Sequence, residues 1–79
     1  MDENTIPLSE LPMGSLGRVK KLNTQGVMRR RMLDLGLVGD TVVEALQISP
    51  SGDPVAYLIR GAVIALRADI ASTIQVEAI

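Results

Sequence analysis

Turn-forming residues divide the second half of the chain into short segments rich in β-branched residues. These segments are 41–48, 55–59, 62–67 and 73–79, and the sequence SPSGDP at 49–54 holds the strongest turn formers. Arg60 and Gly61 separate two of the segments, a spacing typical of a tight hairpin with glycine at a positive φ. Short strands at this spacing predict a small closed or half-closed β-barrel rather than a parallel sheet.

The first half of the chain adds one strand and one longer helix to this pattern. Segment 8–11 predicts a single helical turn that ends at Pro12. Segment 15–22 predicts a strand with a kink near Gly17. The prediction is a mostly β fold, a small barrel of about five strands with one α-helix after the first strand.

The end of the chain completes the barrel. Segment 68–73 predicts one helical turn, and the last strand places Ile74 and Val76 on one face by clean alternation. No linker, repeat or low-complexity segment interrupts the sequence, so residues 1–79 are expected to form a single domain. Within it, residues 1–5 are expected to be disordered.

Both ends of the predicted helix carry sequence signals. Asn23 or Thr24 is expected to be the N-cap, because its side-chain oxygen can accept a hydrogen bond from an amide of the first turn. Gly36 is expected at the C′ position, where a left-handed conformation costs least. Leu37 can then fold back on Met32 in a Schellman arrangement.

The helix carries one apolar stripe, formed by Met28, Met32 and Leu35 at positions i, i+4 and i+7. Burial in the core is the usual fate of methionines on a helix packed over a shallow barrel. If Met28 or Met32 is exposed instead, it joins Leu33 in an apolar patch rimmed by arginines. Such a patch is typical of a modest protein interface.

Composition excludes most catalytic and metal chemistry. The chain has no cysteine and no histidine, which removes disulfides, thiolate chemistry, zinc fingers and imidazole metal sites. The carboxylates are dispersed, with no run typical of a hard-cation site. Tyr57 is the only aromatic residue, so it cannot line a groove for a polyproline peptide. We therefore expect no enzyme activity, no catalytic residue, no cofactor and no metal site.

Charge argues against a nucleic-acid partner. The net charge is −1, and the eight Lys and Arg residues are too few and too scattered to follow a phosphate backbone. Arg29, Arg30 and Arg31 are consecutive, but on a helix they splay over about 200° at 100° per residue. Two interpretations of these arginines stay open: a solvated helix face, or a partner-binding site formed by Arg29, Arg30, Arg31, Met32 and Leu33.

The sequence carries no sign of export or of a membrane span. The first ten residues are acidic and lack the features of a signal peptide. Arg60, Arg67 and Asp69 interrupt the most hydrophobic third of the chain, which leaves no stretch of about 20 apolar residues. We expect a cytoplasmic protein with no direct membrane insertion.

Four motifs occur along the chain: L-x-x-L-P-x-G from Leu8 to Gly14, R-M-L-D-L-G-L-x-x-G-D from Arg31 to Asp40, the SPSGDP turn, and A-L-R from Ala65 to Arg67. Together they resemble the FeoA family, the small accessory proteins of bacterial ferrous iron uptake. The likeness runs from Leu8 to Val76, with the motifs in the family's order. One departure is Val38, where many relatives place a proline.

The resemblance implies an SH3-like barrel and a partner, FeoB, the membrane ferrous iron transporter with a cytosolic GTP-binding domain. FeoA-like proteins are taken to bind that cytosolic part and support transport. The alternative is a stand-alone regulatory domain of the iron-dependent repressor type, which would act through protein contacts in transcription. Weak self-association also stays open, because hairpin edges of a small barrel can pair between copies.

Overall fold

The computed structural model describes residues 4–79 as one antiparallel sheet with two helices. In chain order the elements are β1 (Thr5–Pro7), a 3-10 turn (Leu8–Glu10), β2 (Leu16–Leu22), α1 (Gly26–Asp34), β3 (Val42–Ile48), β4 (Val55–Ile59), β5 (Ala62–Leu66), α2 (Ala68–Ala71) and β6 (Ile74–Ala78). The strand order in the sheet is β1-β6-β2-β3-β4-β5, and every neighbouring pair is antiparallel.

The predicted fold class is confirmed: a mostly β domain whose longer helix follows the strand 16–22. The sheet has six strands and stays open between β1 and β5. The additional strand is β1, in which Thr5 pairs with Glu77. Regular structure therefore begins at Thr5, inside the segment 1–5 expected to be disordered, while residues 1–3 lie outside the described residues.

The core consists of aliphatic side chains and one tyrosine. Alternation in β4 points Val55, Tyr57 and Ile59 inward. Ile74 and Val76 of β6 are fully buried, as their alternation predicted. The Tyr57 hydroxyl donates to the Leu8 carbonyl oxygen at 3.3 Å, which ties the 3-10 turn to the sheet.

The predicted kink near Gly17 is wrong in position. The register of β2 against β6 shifts between Val19 and Lys21, so the irregularity lies at Lys20. Gly17 is needed for another reason, because a Cβ there would lie 3.1 Å from a methyl carbon of Val76. The small residue allows β2 and β6 to approach closely over the core.

The C-terminus of α1 is the predicted Schellman motif. The Gly36 amide donates to the Leu33 carbonyl at 3.0 Å, and the Leu37 amide donates to the Met32 carbonyl at 3.1 Å. Gly36 has a φ of +100°, a conformation that favours glycine. Leu37 is fully buried, so the motif anchors the end of the helix in the core.

The predicted N-cap of α1 is wrong. The cap residue is Gln25, and its side chain makes no capping hydrogen bond. The Thr24 hydroxyl instead lies 2.5 Å from that of Thr73, and the Asn23 amide donates to the Thr73 carbonyl at 2.7 Å. Asn23 and Thr24, which the local sequence favoured as caps, therefore both bond to the segment before β6 instead.

Two connections fix the positions of β5 and α2. Arg60 and Gly61 have φ values of +50° and +84°, which fits the predicted tight hairpin between β4 and β5 as a type I′ turn. The Asp53 carboxylate accepts a hydrogen bond from the Ala68 amide at 2.8 Å. This bond links the turn before β4 to the first residue of α2.

Candidate functional site

An open groove lies between α1, β5 and α2, with a volume of about 270 Å³. Its walls are formed by Met28, Arg31, Met32, Leu35, Ile64, Ala65, Leu66, Arg67 and Ile70. The floor is apolar, and the two charged residues among the walls are both arginines. The volume is below the range of about 300–1,000 Å³ typical of pockets that enclose a small-molecule ligand. The groove therefore suits side chains of another protein better than a small molecule.

The three consecutive arginines are all exposed, but they lie in different surroundings. The Arg29 guanidinium donates to the carbonyl oxygens of Leu22 at 2.5 Å and Thr24 at 3.4 Å, which fastens α1 to the end of β2. Arg31 lines the groove. Arg30 makes no hydrogen bond or ion pair with any residue in 4–79. The structure thus separates residues that the sequence places side by side.

Of the two apolar residues in the predicted site, only Met32 lines the groove. Met32 is 2% exposed and belongs to the core, as expected of a methionine in the apolar stripe. Leu33 is 37% exposed and lies outside the groove lining. The expectation that Met28 is also buried is wrong, because Met28 is 37% exposed at the edge of the groove. The stripe therefore has one buried methionine and one that contacts solvent.

Sequence reasoning missed the residues that β5 and α2 contribute to the groove. Ile64, Leu66 and Ile70 follow the last residue of α1, Asp34, by 30 to 36 residues, and only the fold brings them next to it. One signal was present, because Leu66 and Arg67 belong to the A-L-R motif at 65–67. In the structure Arg67 stands on the rim of the groove, exposed to solvent.

Residues 4–79 hold no group of three or more carboxylates that is placed to bind a metal ion. Burial raises the pKa of the Tyr57 phenol above its usual value, and the negative charge of Asp53 adds to the rise. Tyr57 is 1% exposed, so its ring is unavailable to a peptide ligand.

Within residues 4–79, neither α1 nor α2 is long and apolar enough to cross a membrane.

Comparison with known proteins finds a match to the FeoA family over almost the whole chain. Residues 6–78 match the family model described as the FeoA domain. A relative from Porphyromonas gingivalis, the Fe(2+) transport protein A/Fe(2+) transporter FeoB fusion protein, is 36% identical over 72 residues. That match covers 91% of this chain but 8% of the fusion protein.

Two solved structures show the same fold. The FeoA protein from Chlorobium tepidum superimposes with a TM-score of 0.88 at 32% identity, covering 94% of this chain and 70% of that one. The FeoA of Stenotrophomonas maltophilia, described as a procaryotic SH3 domain protein, superimposes with a TM-score of 0.80 at 27% identity, covering 89% and 87% of the two chains. With a family model that spans residues 6–78, the chain belongs to the FeoA domain family.

Proposed function

We propose that this protein is a non-enzymatic, cytoplasmic accessory protein of ferrous iron uptake that binds the cytosolic GTP-binding region of a FeoB transporter. The observation that carries the proposal is the fusion relative, in which a domain 36% identical to this chain is joined to FeoB. Fusion holds two domains at a high effective concentration. Separate chains with the same task need a binding surface of their own.

The exposed side of α1, next to the groove, offers such a surface. Arg29, Arg30 and Arg31 are exposed there, and Leu33 and Met28 add exposed apolar area next to them. An apolar patch with charged residues around it is the usual composition of a modest interface. We propose Arg29, Arg30, Arg31, Met32 and Leu33 as the partner-binding segment, with Met32 acting from below by holding the helix on the core.

A binding role also agrees with the chemistry of the described residues. General acid–base catalysis needs a positioned pair of groups with shifted pKa values in a pocket. The groove is lined by apolar residues and two arginines, and Tyr57 lies in the core instead. The groove thus provides contact area and charge, and the proposed activity needs nothing further.

The test is an NMR titration of the isotope-labelled protein with the purified cytosolic GTP-binding region of its cognate transporter, with and without nucleotide. We expect localised chemical-shift changes in 29–37 and in the residues that line the groove. The variant Arg30→Glu should weaken the complex, because Arg30 is exposed and has no partner within the described chain.

The matched control is Lys21→Glu, which makes the same change of net charge on the exposed part of β2. It should leave the affinity close to that of the parent protein. A folded, well-dispersed spectrum that does not change at any concentration of the cytosolic region would contradict the proposal. Co-purification with a DNA-binding regulator in place of the transporter would favour the repressor-type alternative.

A further inference from the structure

Strand β5 is an edge of the sheet with an unpaired side. It pairs with β4 alone, and the strand order ends there. The pairs Ile59–Ala62 and Tyr57–Ile64 alternate with Leu58–Val63 across the hairpin. In a two-residue hairpin the pair next to the turn exchanges both hydrogen bonds, and the pairs then alternate. The amides and carbonyls of Val63 and Ala65 therefore point away from β4.

This edge lacks the usual protection against another strand. Natural edges carry lysine, proline, an inward charge or a bulge, or are very short. The sequence of β5 is AVIAL, its pairing with β4 has no register shift, and Val63 is 67% exposed. The opposite edge, β1, has three residues and ends on Pro7. Only one of the two edges is therefore open to strand addition.

The groove continues the same edge toward α1. Ile64 and Leu66 of β5 form one wall, and Met28 of α1 forms part of the other. A strand added beside β5 would place every second side chain over these apolar residues, because side chains alternate between the two faces of a strand. A helical ligand would leave the Val63 and Ala65 backbone groups unpaired, since its own amides are already bonded.

Charge defines the chemistry of the occupant. Arg31 and Arg67 are the charged residues in the groove wall, and neither has an ion pair with residues 4–79. No carboxylate belongs to the lining. Pairing of β5 with β5 of a second copy would supply no carboxylate to these arginines, because the strand AVIAL has no acidic residue. A segment with acidic residues next to its apolar run is complementary instead.

We propose that β5 and the groove bind an extended, acidic segment of a partner protein by strand addition, with Val63 and Ala65 forming the main-chain hydrogen bonds. This inference deepens the proposed function and rests on it for the source of the segment, the transporter's cytosolic region. Alternate apolar side chains of the segment enter the groove, and its carboxylates pair with Arg31 and Arg67. Main-chain bonds supply affinity in this mode of recognition, and the side-chain pockets supply specificity.

The first probe is a short acetylated and amidated peptide of alternating Val and Thr with Glu at both ends. Its control is the same peptide with Lys at both ends. With the Glu peptide we expect chemical-shift changes in the groove residues and slower amide exchange at Val63 and Ala65. We expect the Lys peptide to bind at least about tenfold more weakly.

Variants of the full chain separate the backbone from the charge. Ala65→Pro removes the outward amide without breaking a bond to β4, because proline is tolerated where a strand's N–H faces solvent. Ala65→Thr keeps that amide and serves as its control. Arg31→Glu combined with Arg67→Glu reverses the rim, and Lys21→Glu is the charge control outside the groove. We expect Ala65→Pro to bind about tenfold or more weakly than Ala65→Thr, the double-reversal variant to bind about tenfold or more weakly than the parent, and Lys21→Glu to bind like the parent.

Each contrary result overturns the inference in a different way. Groove shifts without protection of the Val63 and Ala65 amides would indicate a helical occupant. Concentration-dependent self-association through β5 in sedimentation would indicate a second copy. If the transporter's cytosolic region binds equally well to the double-reversal variant and the parent, the accessory role stands and the groove inference fails. If the peptide binds as expected but the cytosolic region does not bind, the proposed function fails and the groove remains a strand-binding site.

Discussion

Gly36 meets two requirements at the end of α1: a positive φ and the absence of a side chain. Its φ of +100° closes the helix, and a Cβ there would overlap the Cδ atom of Arg60. The aliphatic part of Arg60 therefore passes directly over the glycine and links the β4–β5 hairpin to the helix end. A shift of Arg60 would not relieve the strain that an L-residue meets at this φ, because that strain lies in the backbone of residue 36.

Gly36→Ala is expected to destabilise the domain by about 1–2 kcal/mol, because an L-residue is strained at this φ and Arg60 must also move. Urea unfolding of the variant measures the change. Gly39→Ala is the matched control three residues on, where an added Cβ meets open space and φ is ordinary. A loss of stability that is equal at both positions would contradict this account of Gly36.

Tyr57 gives the domain a dependence on alkaline pH. Burial, helped by the charge of Asp53, raises the pKa of Tyr57 in the folded state above its unfolded value, so folding favours the neutral phenol. Stability from this group is fully present below the unfolded pKa of about 10, and it is lost as pH rises from there through the folded pKa. Tyrosinate absorbance should thus rise together with unfolding, and Tyr57 is the only residue in the chain that contributes to it.

Tyr57→Phe separates the hydrogen bond from the titration. At neutral pH it should cost about 0.5–1.5 kcal/mol, since the Tyr57 hydroxyl no longer donates to Leu8, whose carbonyl oxygen keeps the Leu11 amide as a donor. At high pH the variant should lose less stability than the parent. An identical alkaline decline in both proteins would show that another group causes it.

At the scale of elements, α1 is held to the sheet mainly by the buried Met32 and by its Schellman end, since the other residues of the helix are exposed. Met32→Ala should cost about 2–5 kcal/mol, as in other large-to-small changes in a core. Met28→Ala should cost about 1 kcal/mol or less, because this side chain already contacts solvent. Thermal unfolding of both variants measures the contrast, and equal losses would mean that Met28 supports the helix as much as Met32.

The elements that sequence predicts well are those whose signals are local. The end of α1 depends on Gly36 and Leu37 alone, and the β4–β5 hairpin depends on Arg60 and Gly61, so both follow from neighbouring residues. The start of α1 does not, because the Thr24 hydroxyl bonds with Thr73, 49 residues away. No local rule can weigh a distant partner against a cap.

The groove, too, is predictable from sequence only where neighbouring residues determine it. Its α1 wall was visible as an apolar stripe, and the exposure of Met28 agrees with the alternative in which that residue joins a patch near the arginines. Its other walls come from β5 and α2, which lie next to α1 only in the folded domain. Which of Arg29, Arg30 and Arg31 faces the groove depends on the rotation of the helix, and this is set by the buried Met32 at the core.

At the scale of the whole molecule, charge is unevenly distributed. The net charge is −1, yet Arg29, Arg30, Arg31 and Arg67 make up half of the eight Lys and Arg residues and lie on α1 or on the groove rim. Lys20 of β2, in contrast, forms ion pairs with Asp40 at 3.4 Å and with Glu77 at 4.0 Å. The molecule measures 33 × 27 × 22 Å, well beyond the Debye length of about 8 Å at physiological salt. An approaching partner therefore senses the charge of one face, not the net charge of the chain.

Association with the transporter's cytosolic region should consequently slow as salt rises, although the chain is acidic overall. Stopped-flow rates from about 0.01 to 0.15 M ionic strength measure this, because the Debye length falls from about 30 to about 8 Å over that range. Arg30→Glu should lower the association rate and flatten its salt dependence, with a change in stability within about 0.5 kcal/mol. Lys21→Glu alters the net charge equally but sits on β2, so its rate should stay near that of the parent at physiological salt. If the two variants slow association to the same extent there, the net charge governs encounter and the α1 face is not the interface.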